Sequence, residues 1–378
     1  MKLRFEPVRR LCQEAVSNDV APGFVVLVAQ AGQVQFQEAF GWRQATPRQL
    51  PAFPDTVYDV ASLTKAVVTS VLAMRAVGGG ALTLDEPVAG RLAEFDGPGR
   101  EAITVRQLLS HSSGLPAHRP FWRQATDADS ERWAISLAAA REPLEYSPGT
   151  MSIYSDLGFI LLGWLLERAT EQRLDALAAA QILRPLGLEG STTSASFVGF
   201  VNLAETDARA RLLAERSVAA TQQCPERGRI VLGEVDDLNA YAMGGIAGHA
   251  GLFADAAGIS AIAGALVAAW RGADGPLVER DVVREFWAPA RVPGSTWRLG
   301  WDGPAPRGSQ AGERLSRAAV GHLGFTGCSL WIDPERETWI VLLSNRVHPA
   351  VPTHDRFRVF RPKLHDAVLE ALGYEAGS

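Results

Sequence analysis

Ser62-Leu63-Thr64-Lys65, standing just ahead of an apolar helical run, decides how this chain folds. Of 37 basic residues only Lys2, Lys65 and Lys363 are lysines, and two of them sit near the ends. Arginine stays protonated, whereas a buried lysine can lose its proton and act as a base, so a lysine here points to chemistry closed to arginine. Residues three apart on a helix share a face, which would bring Ser62 beside Lys65 as an activated nucleophile. Serine is common enough for the spacing to arise by chance, and codon usage also explains a shortage of lysine. Other positions must supply the rest.

Length and composition narrow the classes. A chain of 378 residues is long enough for one large domain or two lobes around an ample core. A net charge of −5 and scattered arginines speak against nucleic-acid binding; the nearest basic stretch, Arg356-Phe357-Arg358 to Arg361, is short. The start, Met1-Lys2-Leu3-Arg4-Phe5-Glu6-Pro7, lacks the apolar core of an export signal. Leu157 to Leu166 is too short to span a membrane. A cytoplasmic setting is therefore expected. Cys12, Cys224 and Cys328 are odd in number and far apart, so neither a disulfide framework nor a metal cluster is expected. His111 with His118 lacks metal-ligand spacing. No phosphate loop opens a helix after a strand, and no cofactor is expected. No heptad or repeat specifies an oligomeric state.

Apolar residues at helical spacing predict a first helix over Phe5 to Val16. Phe24 to Ala29, the turn Ala31-Gly32 and Val34 to Phe40 predict a β-hairpin. The Ser62 helix runs to about Val77 and stops at Gly78-Gly79-Gly80. A short helix is expected from Thr104 to Ser110, a longer one from Asp156 onward, and another over Ile259 to Trp270. Ser191 to Asn239 has few apolar blocks and reads as a loop-rich insertion, a lid. Ala319 to Gly324, Cys328 to Ile332 and Thr338 to Ser344 read as a meander, and Pro362 to Leu372 as a final helix. The pattern implies a single domain, 1–378, of the α+β class (an α/β sandwich). An antiparallel sheet with flanking helices draws on both chain ends, 1–80 and 290–378. Residues 81–289 form a mostly helical lobe.

Two further clusters fit the chemistry of Ser62 and Lys65: Tyr154-Ser155-Asp156 ahead of a helix, and His322-Leu323-Gly324 ending a strand. In order and spacing the three motifs resemble those of the β-lactamase and penicillin-binding superfamily of serine hydrolases, closest to its class C-like and esterase branch. Leu108-Leu109-Ser110-His111-Ser112-Ser113-Gly114-Leu115 is similar to a signature of that family, as are Leu84-Asp85-Glu86-Pro87-Val88 and Gly324-Phe325-Thr326-Gly327. Met243-Gly244-Gly245-Ile246-Ala247-Gly248-His249-Ala250-Gly251-Leu252-Phe253 resembles a loop in relatives that include muropeptide amidases. Its glycines suggest close backbone approach, and a purely structural turn explains them equally well.

The resemblance implies roles. Ser62 is the nucleophile, and Lys65 with Tyr154 moves its proton. The backbone N–H groups of Ser62 and Phe325 form the oxyanion hole. Asp156, His322, Gly324 and His249 are candidates for substrate binding. Asp156 departs from the family's asparagine. It is either a helix N-cap or a partner of Lys65, and as a partner it would keep the lysine charged and shift the role of base toward Tyr154. His322 replaces the lysine common in penicillin-recognising members. It can bond a substrate carboxylate with a charge that depends on pH, or be a structural strand histidine.

The implied function is a serine hydrolase that forms an acyl-enzyme and cleaves an ester or amide bond of a muropeptide or small peptide. A broad small-molecule carboxylesterase or weak β-lactamase is the alternative, and a catalytically silent ligand-binding protein of the same fold is another.

Overall fold

The structure, a computed structural model, describes residues 2–124, 128–188, 196–273, 275, 277–354 and 356–374. After a 3₁₀ turn, helix α1 spans Glu6–Ser17. Strands β1 (Gly23–Gln30) and β2 (Gln33–Gln44) form the predicted hairpin. Its turn residues Ala31 and Gly32 both have positive φ, 48° and 74°, as a tight hairpin turn of the primed type requires. Strands β3 (Val320–Leu323), β4 (Ser329–Asp333) and β5 (Thr338–Ser344) return as the expected meander. β1 pairs antiparallel with β5, from Phe24 opposite Ser344 to Gln30 opposite Thr338. With the two-residue strand Leu50–Pro51 on one edge, the order is Leu50–Pro51, β2, β1, β5, β4, β3.

Alternation along β1 divides the interior in two. Val25, Leu27 and Ala29 join Val341 and Leu343 in the larger core; Phe24, Val26 and Val28 join Ile340 and Leu342 in the smaller. The smaller core is closed by Phe5, Val8 and Cys12 from the N-terminal end and by Phe360, Leu364 and Val368 from the C-terminal helix. A strand apolar on both faces is what a sheet covered on both sides demands. Helix Ala256–Arg271 covers the other face, although it falls in the stretch expected to be part of the helical lobe. Trp339 Nε1 on β5 donates to Ser260 Oγ at 2.8 Å.

Two expectations are corrected. The final helix spans Phe357–Ala371 and carries Pro362 inside it, not at its start. Proline has no N–H to give to the carbonyl of Arg358; Gln310 Nε2 donates to that carbonyl instead, at 3.1 Å. Nor is 196–239, the described part of the supposed lid, loop-rich. Strand Val198–Phe200 pairs with Leu252–Ala254, which also pairs with Tyr58–Asp59. Helix Ala208–Glu215 and the hairpin Ala220–Cys224 with Arg229–Leu232 follow. Buried Glu234 holds Arg209, Arg227 and Arg229 at 3.1, 3.8 and 2.7 Å, so ion pairs replace the apolar periodicity that would have announced these elements. Residues 191–195 of that stretch lie outside the described residues.

The glycine-rich loop packs backbone to backbone on helix Asp156–Thr170. A Cβ on Gly248 would stand 2.2 Å from the Phe159 carbonyl oxygen and 2.9 Å from Gly163 Cα. Gly248→Ala should therefore lower stability by about 1–3 kcal/mol, read as a drop in the urea midpoint. Gly90→Ala, facing open space, is the control. Equal midpoints for the two variants would contradict this packing.

Candidate active site

Strand Tyr58–Asp59 leads into the Ser62 turn. The fully buried Asp59 carboxylate accepts the N–H groups of Ala61 at 2.8 Å and Asp236 at 2.7 Å. Burial pushes its carboxyl up to about 7, and nearby Asp236 adds to the shift. Ala61 has φ 48°, a strained value for a residue with a side chain. It turns the chain so that Ser62 stands partly exposed at the start of the helix. That helix opens with a wider π-type segment, Lys65–Ser70, and continues as Val71–Gly78.

Lys65 is completely buried. Its Nζ donates to Ser62 Oγ at 3.0 Å, Asp156 Oδ1 at 2.7 Å and the His249 carbonyl at 2.9 Å. Burial alone would favour the neutral amine, but the Asp156 carboxylate and the Tyr154 hydroxyl outweigh it and hold the proton above the usual lysine range. Burial likewise works against the Asp156 anion, and the Lys65 charge overrides it, so Asp156 stays ionised below the usual carboxylate range. Asp156 is thus no N-cap. Ser155 takes that place, its Oγ accepting from Gly158 N at 3.2 Å and donating to the Pro116 carbonyl at 2.6 Å.

Tyr154 is partly exposed, with its ring centroid 4.8 Å from Lys65 Nζ. Burial raises its hydroxyl above the usual tyrosine range, against the pull of Lys65 and hydrogen bonding to Lys65 and Ser62, so it is a neutral phenol. It stacks on Trp297 at 5.5 Å and packs against His111 at 4.9 Å. Buried His111 accepts Ser155 N–H on Nδ1 at 3.1 Å and pins the turn before the helix.

His322, His249 and Gly324 each make a defined contact beside this group. His322 is 2% exposed and donates Nδ1–H to the Leu323 carbonyl at 2.8 Å. Burial and the Lys65 charge push it down to about 3, so the pH-dependent charge expected of it is absent at neutral pH. His249 gives Lys65 its backbone carbonyl, while its buried ring turns to Asp237 at 2.9 Å. Gly324 is required by close packing: a Cβ there would stand 2.5 Å from the Val60 carbonyl oxygen. Thr326 Oγ1 donates to the Asp59 carbonyl at 2.8 Å. These contacts stitch the Phe325 turn to the Ser62 turn. Among the described residues, neither the Ser62 nor the Phe325 backbone N–H meets a backbone acceptor.

Sequence reasoning missed two residues that stand at this site. Trp297 packs on both Tyr154 and His322 without any motif to mark it. His118, considered only as a metal partner of His111, places Nδ1 3.3 Å from Asp156 Oδ2. Its place a few residues beyond Ser113-Gly114-Leu115 was the available signal, and it names no partner.

The family model described as Beta-lactamase matches residues 8–361. A protein of Escherichia coli (strain K12) named "Putative D-alanyl-D-alanine carboxypeptidase" is 30% identical over 87% of this chain and 80% of its own. An "N-acetylmuramyl-L-alanine amidase" of Bacillus subtilis (strain 168) is 29% identical over 93% of this chain and 84% of its own. Among solved structures, the octameric penicillin-binding protein homologue from Pyrococcus abyssi shares the fold with a TM-score of 0.72 at 21% identity, over 96% of this chain and 77% of that one. A motif set read from a few residues thus meets a family match along nearly the whole length. The chain belongs to the Beta-lactamase family and is a hydrolase of the serine type.

Proposed function

We propose that Ser62 attacks the carbonyl of an amide in a muropeptide or small peptide and forms an acyl-enzyme. The observation that carries this reading is the 3.0 Å contact of Lys65 Nζ with Ser62 Oγ, with Asp156 behind the lysine. The names of the carboxypeptidase and amidase relatives support the substrate class.

With Lys65 charged and Tyr154 neutral, the proton moves by exchange. Ser62 Oγ forms the bond to carbon and gives its proton to Tyr154 Oη, while Tyr154 gives its own proton to the leaving nitrogen or oxygen. Lys65 stays protonated and stabilises the charge that develops on both oxygens. The Ser62 and Phe325 N–H groups face the carbonyl oxygen as it becomes an anion. In deacylation water donates to Tyr154 as it attacks, and Tyr154 returns a proton to Ser62 as the acyl bond breaks. Asp156 and His249 act on Lys65, and Gly324 fixes the Phe325 turn; none of them need touch substrate.

A second reading is a small-molecule esterase. It is favoured by His322, neutral and buried where a charged group would hold an anionic substrate, and by Phe325, which exposes its ring at the edge of the site. A cytoplasmic setting fits three cysteines that are all free. No helix among the described residues is long and apolar enough to cross a membrane.

Incubation with a muropeptide pool, followed by mass spectrometry, should show loss of peptide from sugar or of a terminal amino acid. Ser62→Ala should abolish both this change and any covalent adduct. Full turnover by that variant would end the nucleophile assignment. A pool left intact by protein that still cleaves a reporter ester would select the esterase reading. Tyr154→Phe should lower the acylation rate by about 10²–10⁴-fold, the usual range for a lost proton-transfer group. An unchanged rate would remove Tyr154 from the proton path.

A further inference from the structure

The Lys65–Asp156 pair has a third member. His118 reaches Asp156 Oδ2 with Nδ1 at 3.3 Å, and its side chain is 48% exposed, whereas that of Lys65 is sealed. One carboxylate therefore bridges two basic groups, one beneath the nucleophile and one open to solvent.

The charge count of this trio has two values. With neutral His118, Lys65 and Asp156 cancel. With His118 protonated, one positive charge remains, and the pull of Asp156 is divided between two cations. Other charged groups surround this trio, and His249 also acts on Asp156. Asp237 also favours the His118 cation, and it carries His249 as its own partner. Arg119, whose guanidinium bonds to the His118 carbonyl, is paired with Glu142 and Glu145. His111 and His322, which also feel this group, are kept neutral first by burial and then by Lys65.

We infer that His118, acting through Asp156, sets the electrostatic field behind Ser62: protonated, it pins Asp156 and leaves a net positive charge beneath the nucleophile; neutral, it gives up both effects. The inference rests on Ser62 as the nucleophile. Attack places negative charge on the reacting oxygens, and a fixed positive field lowers that barrier. The hydrogen bond to Asp156 holds the His118 proton above the usual 6.5, against partial burial. The pairing is therefore complete below that value and is lost as pH rises through the raised one.

The test is the acylation rate with a reporter ester for wild type, His118→Ala and His118→Arg, from about pH 6 to about pH 9. Wild type should exceed His118→Ala by roughly tenfold at the acid end, the equivalent of one pK unit of interaction, and approach it at the alkaline end. His118→Arg, permanently charged, should hold its advantage throughout. In an Asp156→Asn background, His118→Ala should have no further effect. A wild type to His118→Ala ratio that is flat with pH, or an arginine variant no better than alanine, would overturn the inference. His118→Gln gives the same comparison should the alanine variant fail to fold. A wild type that forms no Ser62-dependent adduct would instead remove the nucleophile assignment and this inference with it.

Discussion

A fully buried ammonium group needs an acceptor for each of its N–H bonds, and around Lys65 that need gathers three distant parts of the chain. Ser62 comes from its own turn, Asp156 from the start of a helix, and the His249 carbonyl from the glycine-rich loop. Removing one partner of such a pair typically costs about 3–5 kcal/mol, because the other charge is left buried alone. The site and the packing of the larger core are thus one problem. Gly248 must approach helix Asp156–Thr170 without a side chain so that its neighbour's carbonyl can reach the lysine.

Much of this was legible in the residues. A lone interior lysine three positions after a serine, with Tyr154 and His322 at suitable distances, pointed to a candidate nucleophile and to the fold. A run rich in Val and Phe placed β1 and polar–apolar alternation placed β2; along any strand successive side chains alternate between the two faces. That Phe24, Val26 and Val28 face one core while Val25, Leu27 and Ala29 face another is the direct outcome of that alternation.

What stayed hidden depends on three-dimensional partners. Asp156 and Ser155 are both good N-caps, and only the reach of Lys65 decides which one is free to leave the helix end. His322 reads in sequence either as a pH-dependent charge or as a structural histidine, and its burial with Nδ1–H on the Leu323 carbonyl keeps it neutral. Pro362 reads as a helix start until Gln310 supplies the missing donor. The short strands and helix between 198 and 232 carry little apolar periodicity because Glu234 and its arginines do part of the stabilising.

The pairing of β1 with β5 also bears on how the chain is made. Phe24 leaves the ribosome long before its partner Ser344. Throughout the interval the hairpin presents an open edge whose side chains are apolar on both faces. Such an edge invites another nascent chain to dock in the place of β5, and closing so long a loop is slow. The sheet beside the candidate active site thus closes only after the whole stretch between β1 and β5 has been made, and it depends on being kept from neighbours while it waits.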